Sequence, residues 1–180
     1  EEATPLRLFL EQIISKFKAR SQSLKINLEF EYHFIDEIYL LLDRNKLEKV
    51  VNNFLSNAIK FSPKGSKVTL DVKSDEKDLL LMVSDEGKGI HASDLPHVFE
   101  RFYQAKYGGS KREGGTGIGL ALVKEFADLM QGKTYVESTF GQGSQFYFQI
   151  PSISIQAIIT FIHGFQPEKQ HQIIMDNFMR

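Results

Sequence analysis

One helix-length segment, Arg44 to Phe61, carries an apolar stripe and a polar strip side by side, and this pairing limits what the chain can fold into. Leu47, Val50, Val51, Phe54, Leu55 and Ala58 recur at helical spacing and define one buried face. Asn53, Asn57 and Lys60 lie four and three residues apart and share a second face. Such a helix needs a layer that accepts its apolar side and a boundary that tolerates its polar one. The residues that follow supply the layer. Val68, Leu70 and Val72 alternate as a strand, Leu79 to Val83 forms another, and the polar stretch Ser74 to Lys77 between them predicts a hairpin. Upstream, Pro5 is a good first-turn residue after Thr4. Leu6, Phe9, Leu10, Ile13, Ile14 and Phe17 then predict a helix ending near Ser21 to Ser23. Ile26, Leu28 and Phe30 alternate as a half-buried strand, Tyr39 to Leu42 reads as a short buried strand, and Asp43 is the N-cap of the next helix. Downstream, Ser93 is expected to cap a short helix through Phe99. A helix follows from Gly117 to Met130, ended by Gly132, and strands at 133–138 and 144–150 complete the pattern.

Composition narrows the class. A length of 180 residues suits one domain with one core, expected here over 1–151; residues 152–180 differ in texture and are read as a tail or linker. Lys plus Arg number 22 and Asp plus Glu 23, which argues against a non-specific nucleic-acid binder. The absence of cysteine excludes disulfides and thiolate metal sites, and the five histidines show no metal-ligand spacing. No apolar run is long enough to span a bilayer. The first residues have neither the basic start nor the apolar stretch of a signal peptide, and there is no initiator Met, so the chain is expected to be a processed product or an excised fragment.

Three segments carry chemistry. Two amides and an ammonium on one helix face, at Asn53, Asn57 and Lys60, suit a hydrated magnesium ion and phosphate oxygens. Asp85-Glu86-Gly87-Lys88-Gly89 ends a strand with a carboxylate that can accept from an exocyclic amine, followed by two glycines that let a flat ligand approach the backbone. Gly115-Thr116-Gly117-Ile118-Gly119-Leu120 opens a helix, where free N–H groups favour anions. A polar, aperiodic stretch precedes it in place of a strand, which speaks against a dinucleotide-binding βαβ unit. Taken singly, a solvated helix face explains the first about as well, and a polar turn explains the second better.

Their order carries the weight. The Asn helix, the Asp-x-Gly-x-Gly turn, Phe99-Glu100-Arg101-Phe102, the glycine-rich helix start and Gly141-Gln142-Gly143 together resemble the N box, first glycine box, F box, and second and third glycine boxes of the catalytic, ATP-binding domain of sensor histidine kinases. The resemblance runs from about Leu6 to Pro151 and is specific from Leu47 onward. It implies an α/β (α+β) two-layer sandwich of the Bergerat type, a mixed, mainly antiparallel sheet backed by helices, with ATP and Mg2+ as cofactors. Carried over, it implies that Asn57 ligates magnesium, Asn53 supports the ion or the phosphates, and Lys60 neutralises phosphate charge. Phe61 would lie near the adenine and Asp85 would read its amine, with Gly87, Gly89 and Ile90 lying close to the base. Thr116, Gly117, Ile118, Gly119 and Leu120 would meet the phosphates. A lid is expected over about Ala105 to Thr116, with Phe99 and Phe102 anchoring its base. Many members of the family have an arginine where this chain has Gln104; Arg101 is the first candidate to replace it catalytically, before Lys106, Lys111 or Arg112.

The same fold serves gyrase, mismatch-repair and chaperone ATPases, which place a glutamate one helical turn before the magnesium Asn as a base for water. Here that position is Asn53, and an amide is no useful base near neutral pH. The resemblance therefore implies a protein-histidine kinase, with an ATPase, a serine-type kinase or a regulatory module without turnover as the alternatives. None of His33, His91, His97, His163 and His171 sits in the family's acceptor motif. The expected partners are dimerisation and phosphoacceptor helices of a parent protein and a response-regulator receiver domain. The expected location is cytoplasmic, with membrane anchoring of the parent left open. The chain itself is expected to bind ATP and to autophosphorylate little or not at all.

Overall fold

The computed structural model describes residues 2–35, 37–74, 78–105 and 115–151. The elements run β1 (Glu2–Pro5), α1 (Leu6–Ser23), β2 (Asn27–Tyr32), β3 (Tyr39–Leu42), α2 (Arg44–Phe61), β4 (Lys67–Ser74) and β5 (Asp78–Asp85). After a single 3₁₀ turn at Leu95–His97 come α3 (Gly119–Leu129), β6 (Lys133–Thr139) and β7 (Gly143–Pro151). Five strands form the main sheet in the order β2-β4-β5-β7-β6. β2 pairs with β4 in parallel and the other three pairings are antiparallel, so the sheet is mixed and mainly antiparallel.

Alternation explains which face is covered. Val68, Leu70 and Val72 of β4, Leu79, Leu81 and Val83 of β5, and Phe146, Phe148 and Ile150 of β7 are buried on one face. They meet the apolar stripe of α2, Leu47, Val50, Val51, Phe54, Leu55 and Ala58, all at most 1% exposed. Val123, Phe126 and Ala127 of α3 and Leu6, Phe9, Leu10 and Ile13 of α1 complete this core. Phe54 lies at its centre, 1% exposed, with its ring centroid 5.5 Å from that of Phe146. Phe54→Ala is expected to cost about 3–5 kcal/mol of stability, read from the urea midpoint.

Helix ends show local physics at work. Asp43 caps α2 by accepting the Lys46 N–H at 3.0 Å. The N-terminus of α1 is capped from a distance instead: the Glu37 carboxylate accepts the backbone N–H of Arg7 at 2.7 Å and of Leu8 at 3.1 Å. Residues Glu2–Pro5 form a strand that pairs antiparallel with β3 in a separate two-stranded sheet, so Pro5 precedes α1 and does not open its first turn.

Two further expectations change. Ser93 caps no helix; its Oγ lies 2.8 Å from His91 Nδ1, and the expected helix is the one 3₁₀ turn. At the end of α3 the left-handed residue is Gln131, with φ 55°, while Gly132 is needed for space. A Cβ at Gly132 would lie 2.1 Å from the Gln149 carbonyl oxygen of β7. No helix among the described residues is long and apolar enough to cross a membrane. The proposed tail, 152–180, lies outside the described residues.

Candidate functional site

A cleft of about 520 Å³ opens between α2, the end of β5 and the start of α3. Asn53, Asn57, Lys60 and Phe61 line it from α2. Asp85, Lys88, Gly89 and Ile90 line it from β5 and the turn that follows. Gly115, Thr116, Gly117, Gly119 and Leu120 line it from the approach to α3. Asn57 and Asp85 therefore face one cavity. Val98, Tyr103, Gln104 and Ala105 close another side, and Ser144 and Phe146 of β7 form part of the floor.

The cleft is electrically uneven. At one side Asp85 is largely removed from water, and that burial pushes its carboxyl up to about 6, against the backbone N–H groups of Gly87 and Ser144, which hold it down. The Gly87 N–H donates to Oδ1 at 2.8 Å. Toward the middle, the ammonium groups of Lys60 and Lys88 each lie 4.7 Å from the centroid of the Phe61 ring, so two cations meet on one aromatic side chain. The start of α3 adds backbone dipoles, since its N-cap, Ile118, contributes no side-chain hydrogen bond to the first turn.

Glycine lets these parts converge. A Cβ at Gly119 would lie 2.2 Å from Asn53 Oδ1, so glycine lets the first turn of α3 meet the polar strip of α2 without displacing the Asn53 amide. Gly117 has φ +69°, and a Cβ there would lie 2.6 Å from the Phe102 carbonyl carbon. The Phe102 N–H donates to the Gly117 oxygen at 2.8 Å and ties the F-box segment to the glycine-rich approach.

Four of the residues expected in the site do not line the cleft. Gly87 is buried behind the Asp85 carboxylate and reaches the cavity through it. Phe102 is 71% exposed and Ile118 is 45% exposed. Arg101, expected to replace the missing arginine, is exposed and forms an ion pair with Glu125 of α3. The Gln104 side chain donates to the Gly115 oxygen at 2.9 Å and holds the two ends of the expected lid together. The lid between those ends, with Lys106, Lys111 and Arg112, lies outside the described residues.

Sequence reasoning missed Lys88, Val98, Tyr103, Ser144 and Phe146. Lys88 was in view, inside the first glycine box, and only its neighbour Phe61 shows that it belongs to the cleft. Ser144 and Phe146 arrive through the β5–β7 register, which sets Asp85 opposite Ser144 and Val83 opposite Phe146. Tyr103 is positioned by its hydroxyl, which donates to Asp94 Oδ1 at 2.6 Å.

Known proteins resemble this chain in sequence and in fold. A family model described as histidine kinase-, DNA gyrase B-, and HSP90-like ATPase matches residues 42–154. The sensor histidine kinase WalK of Bacillus subtilis (strain 168) is 36% identical over 146 residues, covering 79% of this chain and 23% of WalK. The structure of the mycobacterial sensor histidine kinase MprB superposes with a TM-score of 0.73 at 24% identity, covering 86% of this chain and 100% of that one, and shows the common fold. Full-length ShkA in complex with AMPPNP gives a TM-score of 0.74 at 25% identity, covering 85% of this chain and 32% of that one. The chain spans 13% to 27% of the length of curated relatives it matches.

Proposed function

The chain belongs to the family of histidine kinase-, DNA gyrase B- and HSP90-like ATPases, as an ATP-binding catalytic domain of the sensor-histidine-kinase kind, and on that premise we propose that it transfers the γ-phosphoryl group of ATP to a histidine on a dimerisation helix pair, for relay to a response-regulator aspartate. The observation that carries this reading is the content of the one cleft. Asn57 and Asp85 share it, and Asp85 is the only carboxylate among the described residues that line it.

In this reading the Asp85 carboxylate accepts from the adenine amine, while Ile90, Val98 and Phe146 give the base apolar contact. Lys60 and Lys88 neutralise phosphate charge, and the first turn of α3 offers N–H groups to phosphate oxygens. Asn57 and Asn53 present neutral oxygen donors, a set that suits a magnesium ion keeping most of its ligands from water and phosphate. Bound there, Mg2+ would supply further charge neutralisation.

Among the described residues lining the cleft, no group beside the phosphate end can take a proton from water. Asn53 stands where a base would be needed, and Asp85 is engaged with the base. The protein's part in the transfer is positioning and charge stabilisation of a loose transition state, and the attacking atom comes from a neutral imidazole. Arg101 pairs with Glu125 outside the cleft, and among the described residues lining the cleft the cations are Lys60 and Lys88.

Mixing the chain with γ-labelled ATP and a separately made acceptor helix pair is expected to put acid-labile, base-stable phosphate on the helices. Fast ATP turnover without the helices, and no label on them, would favour a hydrolase instead.

A further inference from the structure

We propose that Glu31, His33 and Asp71 form a binding site for a divalent transition-metal ion on the face of the sheet opposite α2 and the nucleotide cleft. The parallel pairing of β2 with β4 creates it. Glu31 lies directly opposite Asp71 in the register, so their side chains leave the sheet on the same face. His33 follows Glu31 by two residues, and its N–H donates to the Val72 oxygen at 3.0 Å, which carries the ladder past the end of β2 and keeps His33 on that face. Leu28, Phe30 and Tyr32 alternate with these residues and pack toward the core.

The donor atoms are already gathered. His33 Nε2 lies 3.0 Å from Asp71 Oδ2 and 3.7 Å from Glu31 Oε2, and one ligand atom from each of the three residues lies within 4.8 Å of the others. Ligands about 2.0–2.2 Å from a tetrahedral zinc ion are spaced roughly 3.3–3.6 Å from one another, a value the two short distances bracket.

The second observation is the Asp71 carboxylate itself, whose Oδ2 meets His33 Nε2 at hydrogen-bond distance while its other oxygen does not share that contact. Asp71 is 8% exposed, and its Oδ1 is buried without a hydrogen-bond partner. A buried carboxylate oxygen left bare is costly, and a metal ion bound to this carboxylate would offset that cost. Glu31 and His33 are exposed, which leaves the outer side of the site open to water ligands. One imidazole and two carboxylates favour zinc or a neighbouring first-row ion over magnesium.

The test is calorimetric titration of the full chain with zinc chloride, without nucleotide and in a non-chelating buffer. The expected result is one saturable site. It should weaken roughly tenfold or more in His33→Ala and in Asp71→Asn and be unchanged in His91→Ala. His33 is exposed, so its removal should leave the fold intact, and a melt without zinc checks this for Asp71→Asn. Zinc should raise the melting temperature of the unaltered chain and not that of His33→Ala. The proposal fails if the unaltered chain shows no saturable site, if His33→Ala keeps full affinity, or if His91→Ala loses it.

Discussion

Replacing Asp85 with Asn is expected to weaken ATP binding sharply while leaving the domain at least as stable as before. The carboxylate is held by two backbone donors, from Gly87 and Ser144, and is otherwise shielded from water. It is a site that favours function over stability. Its folded value of about 6 lies above the ordinary 3.8, so the folded state holds the proton more tightly than the unfolded chain does. Stability from this group is therefore present at low pH and lost as pH rises from about 3.8 through about 6. At pH 7 the side chain is ionised in both states, and the difference between the two values corresponds to roughly 3 kcal/mol of destabilisation. Asn removes that cost and keeps the Gly87 hydrogen bond at Oδ1, but an amide oxygen accepts less strongly than a carboxylate, so the net gain is on the order of 1 kcal/mol. An adenine amine meeting a site that no longer accepts should bind roughly 100-fold or more weakly. For the unaltered chain, protonation of Asp85 predicts about tenfold lower ATP affinity at pH 5 than at pH 7. Unchanged calorimetric binding by Asp85→Asn would remove the adenine assignment, and with it the orientation of ATP in the cleft.

The parts readable from sequence are those whose physics is local. The α2 stripe, the Asp43 cap and the alternation in β4, β5 and β7 each follow from residues within one element, and the structure has them where periodicity places them. Asn53, Asn57 and Lys60 were legible as one face because helical spacing alone puts them together. What needed coordinates depends on partners distant in sequence. The Glu37 cap on α1, the pairing of β1 with β3 and the arrival of Ser144 and Phe146 in the cleft are all of this kind. Arg101 shows the limit from the other side. Its place in the F box suggested a phosphate contact, but its direction is set by Glu125, which lies on α3 and cannot be paired with it by spacing. Glu31, His33 and Asp71 likewise meet only through the parallel β2–β4 register, which no count of histidine spacing reveals.

Asn57→Asp should separate the phosphate end of the cleft from its adenine end. The change keeps the shape of the side chain and adds one negative charge on the polar strip that also carries Lys60. If the triphosphate lies there, two negative groups about 4 Å apart repel by roughly 4 kcal/mol at the effective dielectric of a protein surface, and a bound cation or Lys60 relieves part of this. ATP affinity is then expected to fall about 100-fold. Adenosine has no phosphate to repel, so its affinity should change less than about threefold, a difference well under 1 kcal/mol. Asp85→Asn gives the opposite pattern, with adenosine and ATP weakened alike, because both carry the amine that Asp85 accepts. The two variants read with the two ligands thus fix the direction of the nucleotide without a bound structure. Equal loss of adenosine and ATP in Asn57→Asp would mean that α2 meets the base, and the roles proposed for Asn53, Asn57 and Lys60 would have to be reassigned.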